Sequence, residues 1–137
     1  MKSEMIEKVD HIAIAVKSIE DAKRAYGEGL GGEVEHEIHR SADMAAIMVS
    51  VGKTKLEFME PAGDGGVIGK FLESRGEGVH HICIEVDDIV KAMKDLAAKG
   101  MRLIDKEPRQ GIEGKVAFVH PKSMNGVLVE LVEVPKS

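Results

Sequence analysis

A chain of 137 residues is long enough for one domain with a real apolar core and too short for two of ordinary size. Hydrophobic residues make up 43% and charged residues 31%, with no apolar run near the ~18 residues of a membrane span, which excludes a disordered chain and a transmembrane helix. Nineteen Lys and Arg against 24 Asp and Glu give a net charge of −5, spread along the chain, and aromatics reach only 3%. Neither a phosphate-tracking basic stripe nor a base-stacking platform is available, so no nucleic-acid partner is expected. Met1-Lys2-Ser3-Glu4 leads into a strand-like segment without a signal-like apolar core, and the single Cys83 cannot form an intrachain disulfide. Both features point to a cytoplasmic protein with a reduced thiol. The eight Met residues read as adaptable core filling.

In chain order, residues 8–16 have the β-branched, period-two look of a strand. Residues 18–30 carry Ile19, Ala22, Tyr26 and Leu30 at helical spacing. Ser18 followed by Asp21 starts that helix in the manner of a capping box, and Gly29, Gly31 and Gly32 stop it. Three strand-like runs follow at 33–40, 44–51 and 54–60. Residues 61–78 form a linker in which Val67, Ile68, Phe71 and Leu72 suggest one small helix. The order then recurs: a strand at 79–86, a helix at 88–99 with Ile89, Met93 and Leu96, a stop at Gly100, and strands at 101–106, 115–120 and 127–134. Gln110–Lys115 reads either as a mobile loop over a site or as a wide hairpin turn. The class is α+β, a βαβββ pattern written twice in one domain spanning 1–137. Module one runs from about 7 to 60, the linker from 61 to 78, and module two from about 79 to 135.

Two stretches of the modules can be laid over each other, with six of the eight pairs in the first identical. His11-Ile12-Ala13-Ile14-Ala15-Val16, with Ile19 and Ala22, lies over His81-Ile82-Cys83-Ile84-Glu85-Val86, with Ile89 and Ala92, at an offset of 70 residues. Leu56-Glu57-Phe58-Met59-Glu60 lies over Val129-Glu130-Leu131-Val132-Glu133 at an offset of 73. Side chains alternate across a strand, so His11, Ala13 and Ala15 share one face, as do His81, Cys83 and Glu85, while the large aliphatics face the helices. A face bearing one His and then small residues suits a cleft with room for a ligand. Glu57 and Glu130 stand inside apolar strands, where an unpartnered carboxylate is expensive to bury.

Taken alone, each His is an ordinary strand residue. The duplication predicts that the two halves face each other about a pseudo-twofold axis, bringing His11 and His81 together with Glu57 and Glu130. Two imidazoles and two carboxylates suit one borderline divalent ion per chain, Co²⁺, Mn²⁺, Ni²⁺, Zn²⁺ or Fe²⁺, rather than Ca²⁺. The blander reading is that these four groups merely pair with one another. Cys83 and His81 point in parallel from one strand, so a Cys–His nucleophile is not expected, and His80, on the opposite face, is read as structural. His36 and His39 are either near the site or simply exposed. Lys122 and Ser123 either hold a carboxylate or phosphate or form a turn.

The stretches Val9–Val16, Lys55-Leu56-Glu57, Val79–Ile89, His120-Pro121-Lys122-Ser123 and Gly126–Leu131 together resemble the methylmalonyl-CoA epimerases of the vicinal oxygen chelate superfamily, over nearly the whole chain. The His-His-Ile-Cys-Ile-Glu-Val and His-Pro-Lys runs carry more of that resemblance than the repeat, which belongs to the superfamily. It implies an open, curved mixed sheet of paired βαβββ modules around a divalent metal, in a homodimer, with His11, Glu57, His81 and Glu130 as ligands. The implied activity is interconversion of (2R)- and (2S)-methylmalonyl-CoA, a step of propionate metabolism, by removal and return of the α-proton through a metal-stabilised enolate. Glu130 is the first choice of proton carrier, and the second is Glu57, a metal-bound water or a group that the sequence does not reveal. Some relatives place a Glu where this chain has Ala46, and some have Gln in place of Glu57. Arg109, Lys115 and Lys122 are the groups that could meet the coenzyme's phosphates. Glyoxalase I and a non-catalytic small-molecule-binding protein of the same fold are the alternatives.

Overall fold

In the computed structural model, which describes residues 5–136, most helices and strands follow the expected order. Met1–Glu4, read above as lacking a signal-like core, and Ser137 lie outside the described residues. The strands are β1 Ile6–Ala15, β2 Glu33–Arg40, β3 Met44–Val51, β4 Thr54–Pro61, β5 Gly78–Val86, β6 Arg109–Gln110, β7 Lys115–Val119 and β8 Val129–Glu133. The helices are α1 Ile19–Ala22, α2 Gly66–Arg75 and α3 Ile89–Ala98. No helix among the described residues is long and apolar enough to cross a membrane. The chain divides into two compact units, one of residues 11–80 and one that joins 81–136 to the start of β1 up to Asp10.

In the unit 11–80 the strand order is β2-β3-β4-β1, with β1 parallel to β4 and the other pairs antiparallel. One face packs Ile14, Ile47, Val49, Leu56 and Phe58 against Ile19, Ala22 and Tyr26. Tyr26 tilts onto Phe58 with ring centroids 4.7 Å apart, and burying Phe58 contributes about 1.5–3 kcal/mol. The helix continues past Ala22 as a π-helical stretch, Lys23–Gly29, in which the Leu30 N–H reaches back to the Ala25 carbonyl at 3.1 Å. Gly32 is required after it, because a Cβ there would lie 2.6 Å from the Tyr26 carbonyl oxygen.

The other face of this unit departs from expectation. Ala13, Ala15, Ala46 and Met59 are covered by Ile68, Phe71 and Leu72 of α2, so the alanine end of β1 is packed core rather than open floor. The physical reason lies in the linker. Its helix has an apolar side that must be buried, and the flat surface left by three alanines accepts it. Only the His11 end of this face is left for chemistry.

In the second unit the order is β5-β8-β7-β6, with β5 parallel to β8. Val86, Ala117, Val119, Val129 and Leu131 pack on Ile89, Ala92 and Met93 of α3, and Met5 joins this cluster while its carbonyl accepts the Asp87 N–H at 3.0 Å. Residues 101–106 are not a strand. They keep one isolated bridge, Leu103 to Val119, because the Asp105 carboxylate takes the Phe118 N–H at 2.7 Å in place of a ladder carbonyl. The edge strand is instead Arg109–Gln110. Gln110–Lys115 is a closed hairpin, with the Gly111 N–H on the Gly114 carbonyl at 2.7 Å. A Cβ on Gly114 would run into the Glu133 carbonyl oxygen.

The repeat also fixes how each helix starts. Glu60, the last acid of β4, accepts the Ile19 N–H at 2.9 Å, and Glu133, its counterpart in β8, accepts the Ile89 N–H at 2.9 Å. Ser18 and Asp88 cap the same two helices through the N–H groups of Asp21 and Lys91. Each strand-end carboxylate thus answers an otherwise unmet helix donor and the positive end of the helix dipole. Replacing Glu133 by Gln keeps an acceptor but removes the charge, while Ala removes both. Thermal unfolding should show Glu133→Ala losing about 1 kcal/mol and Glu133→Gln less.

Candidate active site

Each unit presents one His–Glu pair on the sheet face opposite its first helix, buried throughout in the first unit and with a half-buried Glu130 in the second. In the unit 11–80, His11 lies at the entrance of the alanine face of β1, and Glu57 follows Leu56 on β4 with its side chain on that same face. The His11 Nε2 is 3.3 Å from Glu57 Oε1, and both residues are about 6% exposed. In the other unit, His81 opens the same face of β5 and Glu130 the same face of β8. Their Nε2 and Oε1 are 3.2 Å apart, with Glu130 somewhat more open than Glu57. The strand alternation that separates aliphatics from small residues is what aims these four side chains away from α1 and α3.

The spacing within each pair fits two donors sharing an ion as well as a direct imidazole–carboxylate ion pair. Two atoms each ~2.1 Å from one metal, at roughly a right angle, lie about 3 Å apart. An imidazole nitrogen beside a carboxylate oxygen is also the mixed donor set that borderline divalent ions prefer. The residues present therefore fit such an ion. Burial adds a reason: an ionised carboxylate this enclosed needs a cationic or hydrogen-bonding neighbour.

The walls of the two pairs differ. Across β3 and β4, Met48 stands opposite Glu57, whereas across β7 and β8 Phe118 stands opposite Glu130. The Phe118 ring also meets the His81 imidazole edge-on, with centroids 5.7 Å apart and planes at 86°. Nothing in the local sequence singled out Phe118. The signal available was its position in the repeat, 70 residues after Met48 and in register with the carboxylate.

The remaining candidates take more ordinary places. Lys115 is exposed at the start of β7, paired in register with Gln110 and Glu133. His120-Pro121-Lys122-Ser123 forms a 3₁₀ turn in which His120 Nδ1 accepts the Lys122 N–H at 3.0 Å. Loss of solvent, then the charges of Arg102 and Lys122, hold the His120 imidazole below its ordinary pKa, in keeping with a nitrogen that accepts. Ser123 Oγ accepts the Arg102 N–H at 2.8 Å, which pins residues 101–105 to this turn, and Lys122 is exposed. Arg109 donates from Nε to Asp105 at 2.8 Å. His80 packs its ring against Phe71, centroids 4.9 Å apart. His36 is exposed across from Met48, and His39 is half-buried across from Ala46.

Residues 10–119 match the Glyoxalase/Bleomycin resistance protein/Dioxygenase superfamily. The chain belongs to that superfamily. Within it, the chain is 42% identical over 131 residues to the mitochondrial methylmalonyl-CoA epimerase of Dictyostelium discoideum, covering 93% of this chain and 79% of that one. It is 41% identical over 134 residues to the ethylmalonyl-CoA/methylmalonyl-CoA epimerase of Cereibacter sphaeroides, covering 95% and 100%. Among solved structures, a Streptomyces coelicolor methylmalonyl-CoA epimerase variant in complex with 2-nitronate-propionyl-CoA superposes with a TM-score of 0.83 at 32% identity, covering 96% of this chain and 99% of the other. These relatives place the chain among the epimerases of the superfamily, and the paired βαβββ modules of mixed strands are its glyoxalase fold.

Proposed function

We propose that the chain, as one domain of two modules, is a methylmalonyl-CoA epimerase in which His11, Glu57, His81 and Glu130 hold one divalent ion, with Co²⁺ the favoured species. The observation that carries this reading is the duplicated buried His–carboxylate pair, 3.3 and 3.2 Å in the two units, in a chain about 40% identical to such epimerases. A divalent ion at these ligands supplies Lewis-acid stabilisation of the negative charge that develops on the thioester oxygen when the α-proton leaves.

The protein's own part is to move that proton. Epimerisation takes a proton from one face of the α-carbon and returns one to the other, so two carriers are needed, each poised in the right protonation state. Glu130, the more open of the two carboxylates, serves one face. Glu57 serves the other, since Ala46 brings no carboxylate. Ala46 is fully buried against Ala13, Ala15, Met59 and Ile68, so Ala46→Glu would force a charge into packed alanines. That substitution is expected to cost more than about 3 kcal/mol in thermal unfolding and to bring no gain in exchange rate. The exposed Lys115 and Lys122, with Arg109 and Ser123, remain the candidates for the anionic parts of the thioester substrate. A homodimer in a reducing cytoplasm goes with this reading.

Proton exchange at the α-carbon tests it. The purified protein, either epimer of methylmalonyl-CoA and Co²⁺ in D₂O should give fast deuterium uptake with interconversion of epimers, stopped by EDTA. A folded, Co²⁺-loaded protein that gives no exchange would remove this substrate and turn the same sample to methylglyoxal with glutathione, the reaction of the glyoxalase I alternative.

A further inference from the structure

The His81–Glu130 pair is held by more than its own strands. Asp105 lies outside any strand and is largely buried, yet each of its carboxylate oxygens is engaged: Oδ2 accepts the Phe118 N–H at 2.7 Å and Oδ1 accepts the Arg109 Nε–H at 2.8 Å. The Arg109 guanidinium lies over the Phe118 ring, 5.6 Å from its centroid. Phe118 in turn abuts His81 at 86° and sits in register with Glu130. A cation over an aromatic face is attracted to it, and an arginine tethered by a carboxylate stacks more rigidly than a free one.

We propose that Asp105, Arg109 and Phe118 form a brace that positions His81 and Glu130, with Phe118 the positioning residue in contact and Arg109 the residue that holds Phe118. This rests on the reading of His81 and Glu130 as metal ligands. Partners behind a ligand fix ring orientation and strengthen binding. In the other unit the residue across from the carboxylate is Met48, an unbranched chain with three rotatable bonds, so the two pairs differ in stiffness. The His81–Glu130 pair is the preorganised half, and the His11–Glu57 pair is the half that adapts.

Calorimetric titration with Co²⁺ tests the brace in wild type, Arg109→Met, Arg109→Lys and Phe118→Leu. Arg109→Met is the main variant, since its side chain is more than half exposed and its loss should leave the fold intact. It should weaken Co²⁺ binding about tenfold or more and shift the visible spectrum of the bound ion, with Phe118→Leu in the same direction and Arg109→Lys partly restored. In the metal-free protein, the His81 ring protons should move toward their random-coil positions in Arg109→Met as Phe118 loses its restraint. Wild-type affinity, spectrum and ring-proton positions in Arg109→Met would overturn the brace. A wild-type protein without Co²⁺ affinity would instead overturn the metal reading above, and the ring-proton comparison would still decide the brace.

Discussion

His81→Ala should remove metal retention while leaving the protein folded. The imidazole lies on the face away from the α3 core, whose packing runs through Val86, Ile89, Ala117 and Val119, so truncation leaves that core untouched. The stability cost is expected near 1–3 kcal/mol, within the tolerance of an ordinary domain. Losing one of four proposed ligands should weaken Co²⁺ by more than about 100-fold, beyond the 10–100-fold typical of a partner behind a ligand. Thermal shift separates the two effects. Wild type with Co²⁺ at about 100 times its Kd gains about 2.7 kcal/mol, on the order of 10 °C, and EDTA reverses it. His81→Ala should unfold cooperatively at a Tm that the same Co²⁺ concentration raises by no more than about 2 °C. An undiminished Co²⁺ shift in this variant would remove His81 from the ligand set.

Glu57→Gln and Glu130→Gln should break epimerisation in opposite senses. Glutamine keeps a side-chain oxygen near the neighbouring imidazole but cannot take a proton from carbon at neutral pH. If each carboxylate serves one face of the α-carbon, each single variant should lose interconversion by about 10²–10⁴-fold. Each should still wash the α-proton of one epimer into D₂O, because the surviving base can remove and return a proton on its own face. The two variants should spare opposite epimers. Full interconversion by Glu57→Gln would assign the second role elsewhere, and loss of exchange from both epimers in both variants would point to damage to the site as a whole.

Much of the architecture could be read from the chain because the repeat supplies two copies of each signal. Strand alternation in β1 and β5, helical spacing in α1 and α3 and the linker helix are local patterns, and local patterns survive folding. The run 101–106 failed because its partner is a side chain: Asp105 supplies the acceptor that a strand neighbour would have supplied. The cover of α2 over Ala13 and Ala15 was also illegible, since small residues describe a cleft floor and a packing surface equally well. Within the site, alternation and offset singled out His11, Glu57, His81 and Glu130 as one set, and the structure shows them as two pairs, His11 with Glu57 and His81 with Glu130. The walls were not readable, because Phe118, Arg109 and Asp105 come together across a hairpin whose register no local pattern encodes. Glu60 and Glu133 stood in plain view in the repeat, and only their bonds to Ile19 and Ile89 reveal them as helix caps.

Two His–Glu pairs, one from each half of a duplicated chain, are proposed to serve a single ion. Crystals loaded with Co²⁺, with anomalous diffraction collected on both sides of the cobalt edge, test it most directly. One anomalous peak per chain is expected, within bonding distance of His11 Nε2, His81 Nε2 and carboxylate oxygens of Glu57 and Glu130. A separate ion at each pair, or cobalt bound away from all four residues, would contradict it.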